Sequence, residues 1–149
     1  MHFSYTNAIF GSRKGSSPFH NFYPMKQVIN TKHAPAPIGP YNQAIRTGNM
    51  VFISGQIALN PETGKLETGN VNDETKRVME NLKAILSEAG LTFDHVIKTS
   101  IFLSDMGLFA QVNEIYGSYF TSDFPARETV AVAGLPKGVN VEISVIAAV

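Results

Sequence analysis

The sequence predicts an α+β protein in which two helices cover one face of a mixed or antiparallel sheet. Two stretches carry apolar residues at helical spacing, and several shorter stretches have the composition of strands. Turn-forming residues separate these stretches into the order β, ββ, α, β, α, ββ. Helices on one side of a sheet form a two-layer architecture. The other sheet face would then expose apolar residues, which favours self-association.

The first strands flank a rigid loop. Lys26–Asn30 has the composition of a short strand, and the three prolines of Ala34–Tyr41 exclude a helix there. Asn42–Arg46 and Met50–Ile57 are predicted strands joined by a glycine-containing hairpin turn. Within the second of these strands, a glycine at position 55 indicates a bulge or a close backbone approach. Asn60–Gly64 predicts a turn that ends in a left-handed glycine.

The first helix is predicted from Asn72 to Ala89. Asn72 is a suitable N-cap, and Gly90 suits the position just after the helix. One apolar stripe follows the helical period and consists of Val78, Leu82, Ile85, Leu86 and Ala89. This pattern predicts that the helix packs through a single face onto the sheet.

The second helix follows a strand at His95–Leu103. The helix is predicted over Met106–Phe120, with Ser104 or Asp105 as its cap. Asn113 lies beside its inward stripe, which consists of Phe109, Val112, Tyr116, Tyr119 and Phe120. The strand alternates imperfectly, which is typical of burial on both faces.

Two final strands carry rare charges in apolar surroundings. Phe124–Pro136 contains Arg127, and Val141–Ala147 contains Glu142. If a tight turn at 135–138 joins them as a hairpin, Arg127 and Glu142 share one sheet face. They would then lie about four residues, or roughly 13 Å, apart along the strands. That separation is long for a direct ion pair and leaves room for a small ligand or for a partner from another subunit.

The composition limits the classes of function. The chain has 149 residues, zero net charge and no cysteine, which suits one domain without disulfide or thiolate chemistry. Neutrality gives no electrostatic reason to expect nucleic acid or an acidic membrane as a partner. No apolar run approaches the roughly 20 residues that a membrane-spanning helix needs. The four histidines lack metal-ligand spacing, and nucleotide-binding motifs are absent, so neither a metal nor a cofactor is expected.

Residues 1–24 stand apart from the predicted domain, which spans 25–149. They are rich in serine and aromatic residues and show no periodicity. A transit-like leader, an upstream start and a tag or cloning remnant all fit this composition, although a transit peptide usually carries more arginine than the single Arg13. We expect a cytoplasmic location, or a mitochondrial one if the segment is a transit peptide.

Six residues are candidates for chemistry: Arg127, Glu142, Tyr41, Asn113, Ser54 and Thr129. An arginine guanidinium can hold a carboxylate through two parallel hydrogen bonds, and a partly buried glutamate can activate water. Each candidate also has a structural interpretation. The two charges can form ion pairs, Tyr41 can pack as an ordinary aromatic, and the remaining polar residues can hydrogen-bond within the fold.

These motifs resemble those of the reactive-intermediate deaminase A family, also called the RidA or YjgF-like family. The resemblance runs from about Met25 to the C-terminus. The matching segments, in chain order, are Ala36–Tyr41, Ser54–Ile57, Glu80–Leu86, Val96–Thr99, Phe124–Arg127, Leu135–Lys137 and Val141–Ile143. The resemblance implies a chorismate-mutase-like α+β fold and a homotrimer whose sheets pack into a central barrel. It further implies sites between subunits that hydrolyse 2-iminobutanoate and 2-iminopropanoate to 2-oxo acids and ammonia without a cofactor.

The resemblance also implies roles for individual residues. Arg127 would bind the substrate carboxylate, and Glu142 would position and activate water. Tyr41 would join them as a catalytic residue, while Ser54 and Asn113 would contact the substrate. Thr129 occupies a position where the family often has cysteine. Threonine can serve there if the family uses the backbone at this position, whereas a requirement for a thiol would remove activity.

Two other functions compete with hydrolysis of imines. A non-catalytic regulatory trimer could bind small carboxylates through the same Arg127 cleft. An endoribonuclease or translation inhibitor is the second alternative, since such activities are attached to some relatives. The chain lacks a basic patch, a catalytic histidine pair and an aromatic–basic stacking run, which disfavours RNA as a substrate.

Overall fold

The computed structural model describes residues 25–149, so the interpretation of residues 1–24 as an extension lies outside the described residues. Six strands within the described range form one sheet: β1 (Gln27–Ile29), β2 (Ala44–Thr47), β3 (Met50–Gln56), β4 (Val96–Leu103), β5 (Ala126–Ala131) and β6 (Val141–Ala148). Two helices, α1 (Val71–Glu88) and α2 (Phe109–Gly117), pack together on one face of this sheet. The predicted α+β class with both helices on one face is confirmed.

The helix termini differ slightly from the prediction. Asn70, rather than Asn72, is the N-cap of α1, because its side chain accepts a hydrogen bond from the Asp73 amide at 2.9 Å. Asp105 caps the short 3-10 turn that precedes α2. The predicted second helix is too long, since the chain beyond Gly117 tightens into i to i+3 hydrogen bonds. The predicted apolar stripe of α1 is buried, as expected.

The turn at Asn60–Gly64 has its predicted form. The Asn60 side chain accepts hydrogen bonds from the Glu62 and Thr63 amides, and Gly64 adopts a left-handed φ of 69°. In β4, a register shift between Val96 and Lys98 interrupts the alternation. This bulge lies at the start of β4, while at its end Phe102 is half-buried between the buried Ile101 and Leu103.

The sheet order is β1-β2-β3-β6-β4-β5. The pair β4–β5 is parallel, and the other neighbours are antiparallel. The predicted β2–β3 hairpin is present, but the predicted β5–β6 hairpin is wrong. Helix α2 returns the chain to the same end of the sheet, so β5 runs parallel to β4. Residues 132–140 then pass over the end of β4, where Val132 donates to the Leu103 carbonyl and Ser104 donates to the Asn140 carbonyl.

This topology places the two candidate charges on opposite sheet faces. Arg127 pairs with Thr99, whose side chain is buried beneath the helices. Glu142 pairs with Phe102, whose side chain lies on the face without helices. The expectation that Arg127 and Glu142 share a face is therefore wrong, because β4 lies between their strands and sets a different register.

The helix-free face is partly apolar, as the sequence predicted. Its exposed or half-buried apolar side chains are Val28, Ile45, Phe52, Phe102, Val130 and Ile146. A polar cluster interrupts them, in which Lys98 and Ser100 both donate to the Glu128 carboxylate. The hydrogen bond from Lys98 lowers the pKa of Glu128 below its ordinary range. Within residues 25–149, neither helix is long and apolar enough to cross a membrane.

Candidate active site

A first cavity of about 370 Å³ lies beside Arg127, on the side of the sheet that carries the helices. Strand β5 supplies Arg127 at the edge of the sheet, and α2 supplies Asn113 and Tyr116. Phe124 and Pro125 close the cavity where the chain enters β5. Two of the predicted substrate-binding residues, Asn113 and Arg127, thus line one cavity, while their role in binding remains a prediction.

Aromatic rings and an amide orient the Arg127 guanidinium. Its Cζ atom lies 5.7 Å from the Phe109 ring centroid and 5.1 Å from that of Tyr116. Its Nη1 donates to Asn113 Oδ1 at 2.8 Å. The Tyr116 hydroxyl donates to the buried Thr99 Oγ1 at 3.1 Å, which fixes the ring, and burial raises the pKa of Tyr116. The guanidinium is thus held in place with donors left for a ligand.

No carboxylate among residues 25–149 forms a salt bridge with Arg127. Glu128 pairs with Lys98 on the opposite face. The structural interpretation of Arg127 as one half of an ion pair is therefore wrong for the described part of the chain. Thr129, two residues further along β5, has a buried hydroxyl without a hydrogen-bond partner among the described residues. Its role in substrate binding stays a prediction.

A second cavity of about 740 Å³ lies on the opposite side of the sheet. It brings together three of the predicted site residues, Tyr41, Ser54 and Glu142. The remaining lining is mostly apolar or small and consists of Ile38, Ile53, Gly55, Ile57, Pro136, Lys137 and Ser144. A mostly apolar cavity with a few convergent polar groups is typical of a small-molecule site.

Glu142 packs directly onto a β-bulge in β3. The register between β3 and β6 shifts between Ile53 and Gln56, and a Cβ atom on Gly55 would lie 1.9 Å from Glu142 Oε1. Gln56 donates to the bulge carbonyls of Ser54 and Gly55 at 3.1 and 3.3 Å. Both predicted meanings of Gly55, a bulge and a close approach, are confirmed. Burial raises the pKa of Glu142 above its ordinary value of 4.5.

The loop that presents Tyr41 is held by a buried glutamine. Gln43 Nε2 donates to the carbonyls of Thr31, Ala34 and Pro35, and its Oε1 accepts from the Thr31 amide. Tyr41 itself is 51% exposed, and its hydroxyl accepts from the Ile38 amide at 3.4 Å. The interpretation of Tyr41 as an ordinary packed aromatic is therefore wrong for the isolated chain.

Ser54 points its hydroxyl proton away from the cavity. Its Oγ donates to the Asn42 carbonyl at 2.7 Å, while its amide donates to the Gln43 carbonyl at 3.0 Å. The hydroxyl is therefore structurally engaged, as one interpretation of the sequence held. Its oxygen can still accept a hydrogen bond from a ligand in the cavity.

Sequence reasoning missed several residues around the two cavities. Phe109 and Tyr116 were predicted only as packing residues, although both rings lie against the Arg127 guanidinium. Lys137 lines the Glu142 cavity and has a left-handed φ of 57°. The only sequence feature that could have indicated the contacts of Phe109 and Tyr116 with Arg127 is an arginine on the strand that follows an aromatic-rich helix. For the left-handed conformation of Lys137, the sequence offers no indication other than the glycine that follows it.

Fold and cavities together define a class of protein: a small α+β domain with an arginine in a cavity on one sheet face and a partly buried glutamate with a raised pKa in a cavity on the other. The chain matches the family described as Endoribonuclease L-PSP over residues 31–149. It therefore belongs to that family, which is the RidA/YjgF family that the sequence motifs resemble.

Relatives and solved structures agree with this assignment. A RutC family protein from Pyrococcus horikoshii is 51% identical over 83% of this chain and 98% of the relative. The mouse protein named 2-iminobutanoate/2-iminopropanoate deaminase is 47% identical over 83% of this chain and 91% of the relative. The crystal structure of E. coli TdcF with bound serine superposes with a TM-score of 0.80 at 42% identity, covering 83% of this chain and 98% of TdcF.

Proposed function

We propose that the protein hydrolyses 2-imino acids such as 2-iminobutanoate and 2-iminopropanoate to 2-oxo acids and ammonia. The observation that carries this proposal is the desolvated Glu142 carboxyl group, packed on the Gly55 bulge in a cavity with Tyr41 and Ser54. The mouse relative is named for this activity, and TdcF was solved with serine, a small molecule with the same carboxylate.

We further propose that the active form is a homotrimer with a chorismate-mutase-like barrel and sites between subunits. In one chain the carboxylate anchor and the general base lie on opposite sheet faces, so neither cavity alone holds the complete set of groups. Arg127 lies on the edge strand β5, from which it can reach a neighbouring copy. Exposed apolar side chains on the helix-free face give a driving force for association. Light scattering at the mass of a trimer is the expected result, and a monomer would refute this arrangement.

Substrate binding in this proposal starts from Arg127. The guanidinium, held by Asn113 and two aromatic rings, donates two parallel hydrogen bonds to the substrate carboxylate. The substrate carbon then lies toward Glu142 of the adjacent copy, with Tyr41 and Ser54 beside it. Fixed orientation makes the attack of water effectively intramolecular.

In the proposed hydrolysis, a single group, the Glu142 carboxyl group, carries out all of the proton transfers. The ionised Glu142 carboxylate takes a proton from water as the water oxygen bonds to the imine carbon. The same carboxyl group passes this proton to the nitrogen and produces a neutral carbinolamine. It then takes the hydroxyl proton and passes it to the amine nitrogen as the C–N bond breaks and the C=O bond forms, which releases ammonia, leaves the 2-oxo acid and returns Glu142 to its ionised form. The atoms of one imine and one water balance those of one 2-oxo acid and one ammonia.

The family description also names RNA cleavage, but the site geometry favours the imine reaction. The two histidines among residues 25–149, His33 and His95, line neither of the two cavities described above. His95 instead takes part in the capping box of a short turn with Thr92. A general base other than histidine, Glu142, occupies the larger cavity.

The lifetime of a free imine tests the proposed activity. A threonine dehydratase would generate 2-iminobutanoate, semicarbazide would trap it, and the protein would compete with the trap. We expect the intact protein to shorten the imine lifetime and Arg127→Ala to shorten it far less, because the carboxylate anchor is lost. If the intact protein and Arg127→Ala shorten the imine lifetime equally, the protein hydrolyses imines but Arg127 is not the carboxylate ligand. No shortening by the intact protein would overturn the proposal and favour carboxylate binding without catalysis.

Gly55→Ala is expected to remove activity without unfolding the protein. The added methyl group would occupy the position of Glu142 Oε1, and the flexible end of that side chain can swing away. A misplaced base reduces catalysis by about 100-fold even for shifts near 1 Å. Steady-state kinetics and thermal unfolding would be measured together.

Gly69→Ala is the matched control, because a Cβ atom there meets nothing within 4 Å. It should keep wild-type kinetics. In a Glu142→Gln background, Gly55→Ala should add little further loss, since the group that it displaces is already inactive. Full activity of Gly55→Ala would show that the observed contact with Glu142 has no part in the reaction.

A further inference from the structure

Glu74 is a fully buried acid that the mechanism above does not use. It lies in the first turn of α1 and is 0% exposed. No lysine or arginine among residues 25–149 forms a salt bridge with it. A buried carboxyl group of this kind persists only where hydrogen bonds compensate for lost hydration. The identity of its donors therefore shows what it holds in place.

All three donors belong to the start of β6. Glu74 Oε1 accepts from the Asn140 amide at 2.6 Å and from the Val141 amide at 3.1 Å. Its Oε2 accepts from Asn140 Nδ2 at 2.9 Å. Asn140 Oδ1 in turn accepts from Ser104 Oγ at 3.0 Å, just after the end of β4. One side chain from the helix layer thus binds the point where residues 132–140 enter the sheet.

The start of β6, which Glu74 holds, positions two parts of the larger cavity that Glu142 lines. Glu142 follows Val141 directly, and its carboxyl group must stay above Gly55. The turn Pro136–Gly138 precedes Asn140 and supplies Pro136 and Lys137 to the cavity wall. Lys137 in that turn has a left-handed backbone, a conformation that surrounding contacts must maintain. Release of Asn140 would loosen the base and the wall together.

We propose that Glu74 is a positioning residue, which holds the start of β6 so that the Glu142 carboxyl group remains in its catalytic position. The kinetic part of this inference rests on the proposed imine hydrolysis. The structural part concerns the surroundings of Glu142 and can be measured without a substrate.

Three variants separate positioning from charge and from general stability. Glu74→Gln keeps an oxygen that can accept both backbone amides, and a half-turn of the Asn140 amide would let its Oδ1 accept from the new Nε2. Glu74→Ala leaves buried donors without partners. Thr75→Val is the control, because the buried Thr75 hydroxyl bonds only within its own helix, to the Val71 carbonyl.

Kinetics would be measured at a temperature where circular dichroism shows each variant to be folded. We expect Glu74→Ala to lower kcat about tenfold with a smaller change in KM, because the base is misplaced while the anchor remains. Glu74→Gln should stay within about twofold of the wild type, since the geometry can be rebuilt. Thr75→Val should lower the melting temperature without lowering kcat.

Carbon-13 NMR titration of the glutamate carboxyl groups provides a readout that does not depend on activity. The Glu142 pKa should stay raised in the wild type, Glu74→Gln and Thr75→Val. In Glu74→Ala it should return toward its ordinary range, because the released carboxyl group becomes hydrated. An inactive wild type would refute the proposed function, yet this titration would still decide the role of Glu74.

A folded Glu74→Ala variant with wild-type kcat and an unchanged Glu142 titration would overturn the inference. If Glu74→Ala does not fold, Glu74→Asp is the second test. It keeps the carboxylate but shortens the side chain by one methylene group, which draws it away from the Asn140 and Val141 amides. An unchanged Glu142 titration in Glu74→Asp would then overturn the inference, and a lowered Glu142 pKa would support it.

Discussion

Mixed trimers of two impaired variants, Arg127→Ala and Glu142→Gln, are expected to recover about a third of wild-type activity. Each variant alone lacks one essential group in every site. If each site combines Arg127 of one copy with Glu142 of the next, an intact arginine meets an intact glutamate in about one site of three in every mixed trimer, whichever variant is present twice. The opposite sheet faces of the two residues in one chain make this recovery possible.

Co-expression with two different affinity tags would isolate the mixed trimers. The control is a mixture of separately assembled variants, which should remain inactive as long as subunits do not exchange. A second control is the double variant Arg127→Ala/Glu142→Gln co-expressed with the wild type. Mixed trimers as inactive as their parents would refute a site shared between subunits, even if the protein hydrolyses imines.

Glu142→Gln is expected to lower kcat by about 100- to 10,000-fold, the usual contribution of a general acid or base. The amide is nearly the same size and still fits above Gly55, but it cannot take a proton from water. KM should change much less, because the proposed carboxylate ligand, Arg127, is unchanged in this variant. Arg127→Ala should instead raise KM strongly. A comparison of kcat and KM for the two variants therefore tests the division of roles.

The role of Glu142 as general base also predicts how activity changes with pH. In the proposed mechanism Glu142 must be ionised to activate water, and burial raises its pKa above 4.5. Activity should therefore rise with pH through a midpoint above 4.5, and Glu142→Gln should lose this limb. A wild-type limb at or below 4.5 would contradict the assignment of Glu142 as the base.

Stability should change in the opposite direction from activity. A raised folded-state pKa stabilises the fold below the unfolded-state pKa, and this contribution is lost as pH rises through the folded-state value. At pH 7 the desolvated carboxylate therefore destabilises the fold. We expect Glu142→Gln to melt at the same temperature as the wild type or higher at pH 7. The difference in melting temperature between the variant and the wild type should disappear in acid, where Glu142 is protonated in both the folded and the unfolded state. A lower melting temperature at pH 7 would show that the carboxylate stabilises the fold.

Some features of the fold could be predicted because their causes are local. Helix α1 follows from one apolar stripe with a cap at each end, and the turn at Asn60–Gly64 follows from the side-chain and glycine chemistry of five residues. Arg127 and Glu142 stood out because charges are rare in apolar strands. Gly55 could be predicted as a bulge because a strand interior rarely accepts glycine without a reason. The sequence by itself therefore determined the elements and the candidate groups.

Only the tertiary structure decided how these groups are arranged. The insertion of β6 between β3 and β4 depends on pairings between residues far apart in the chain, which no local pattern encodes. Sequence proximity favoured a β5–β6 hairpin, but residues 132–140 cross over the end of β4 instead. Strand parity then placed Arg127 and Glu142 on opposite faces, because each shift by one residue reverses the face that a side chain occupies.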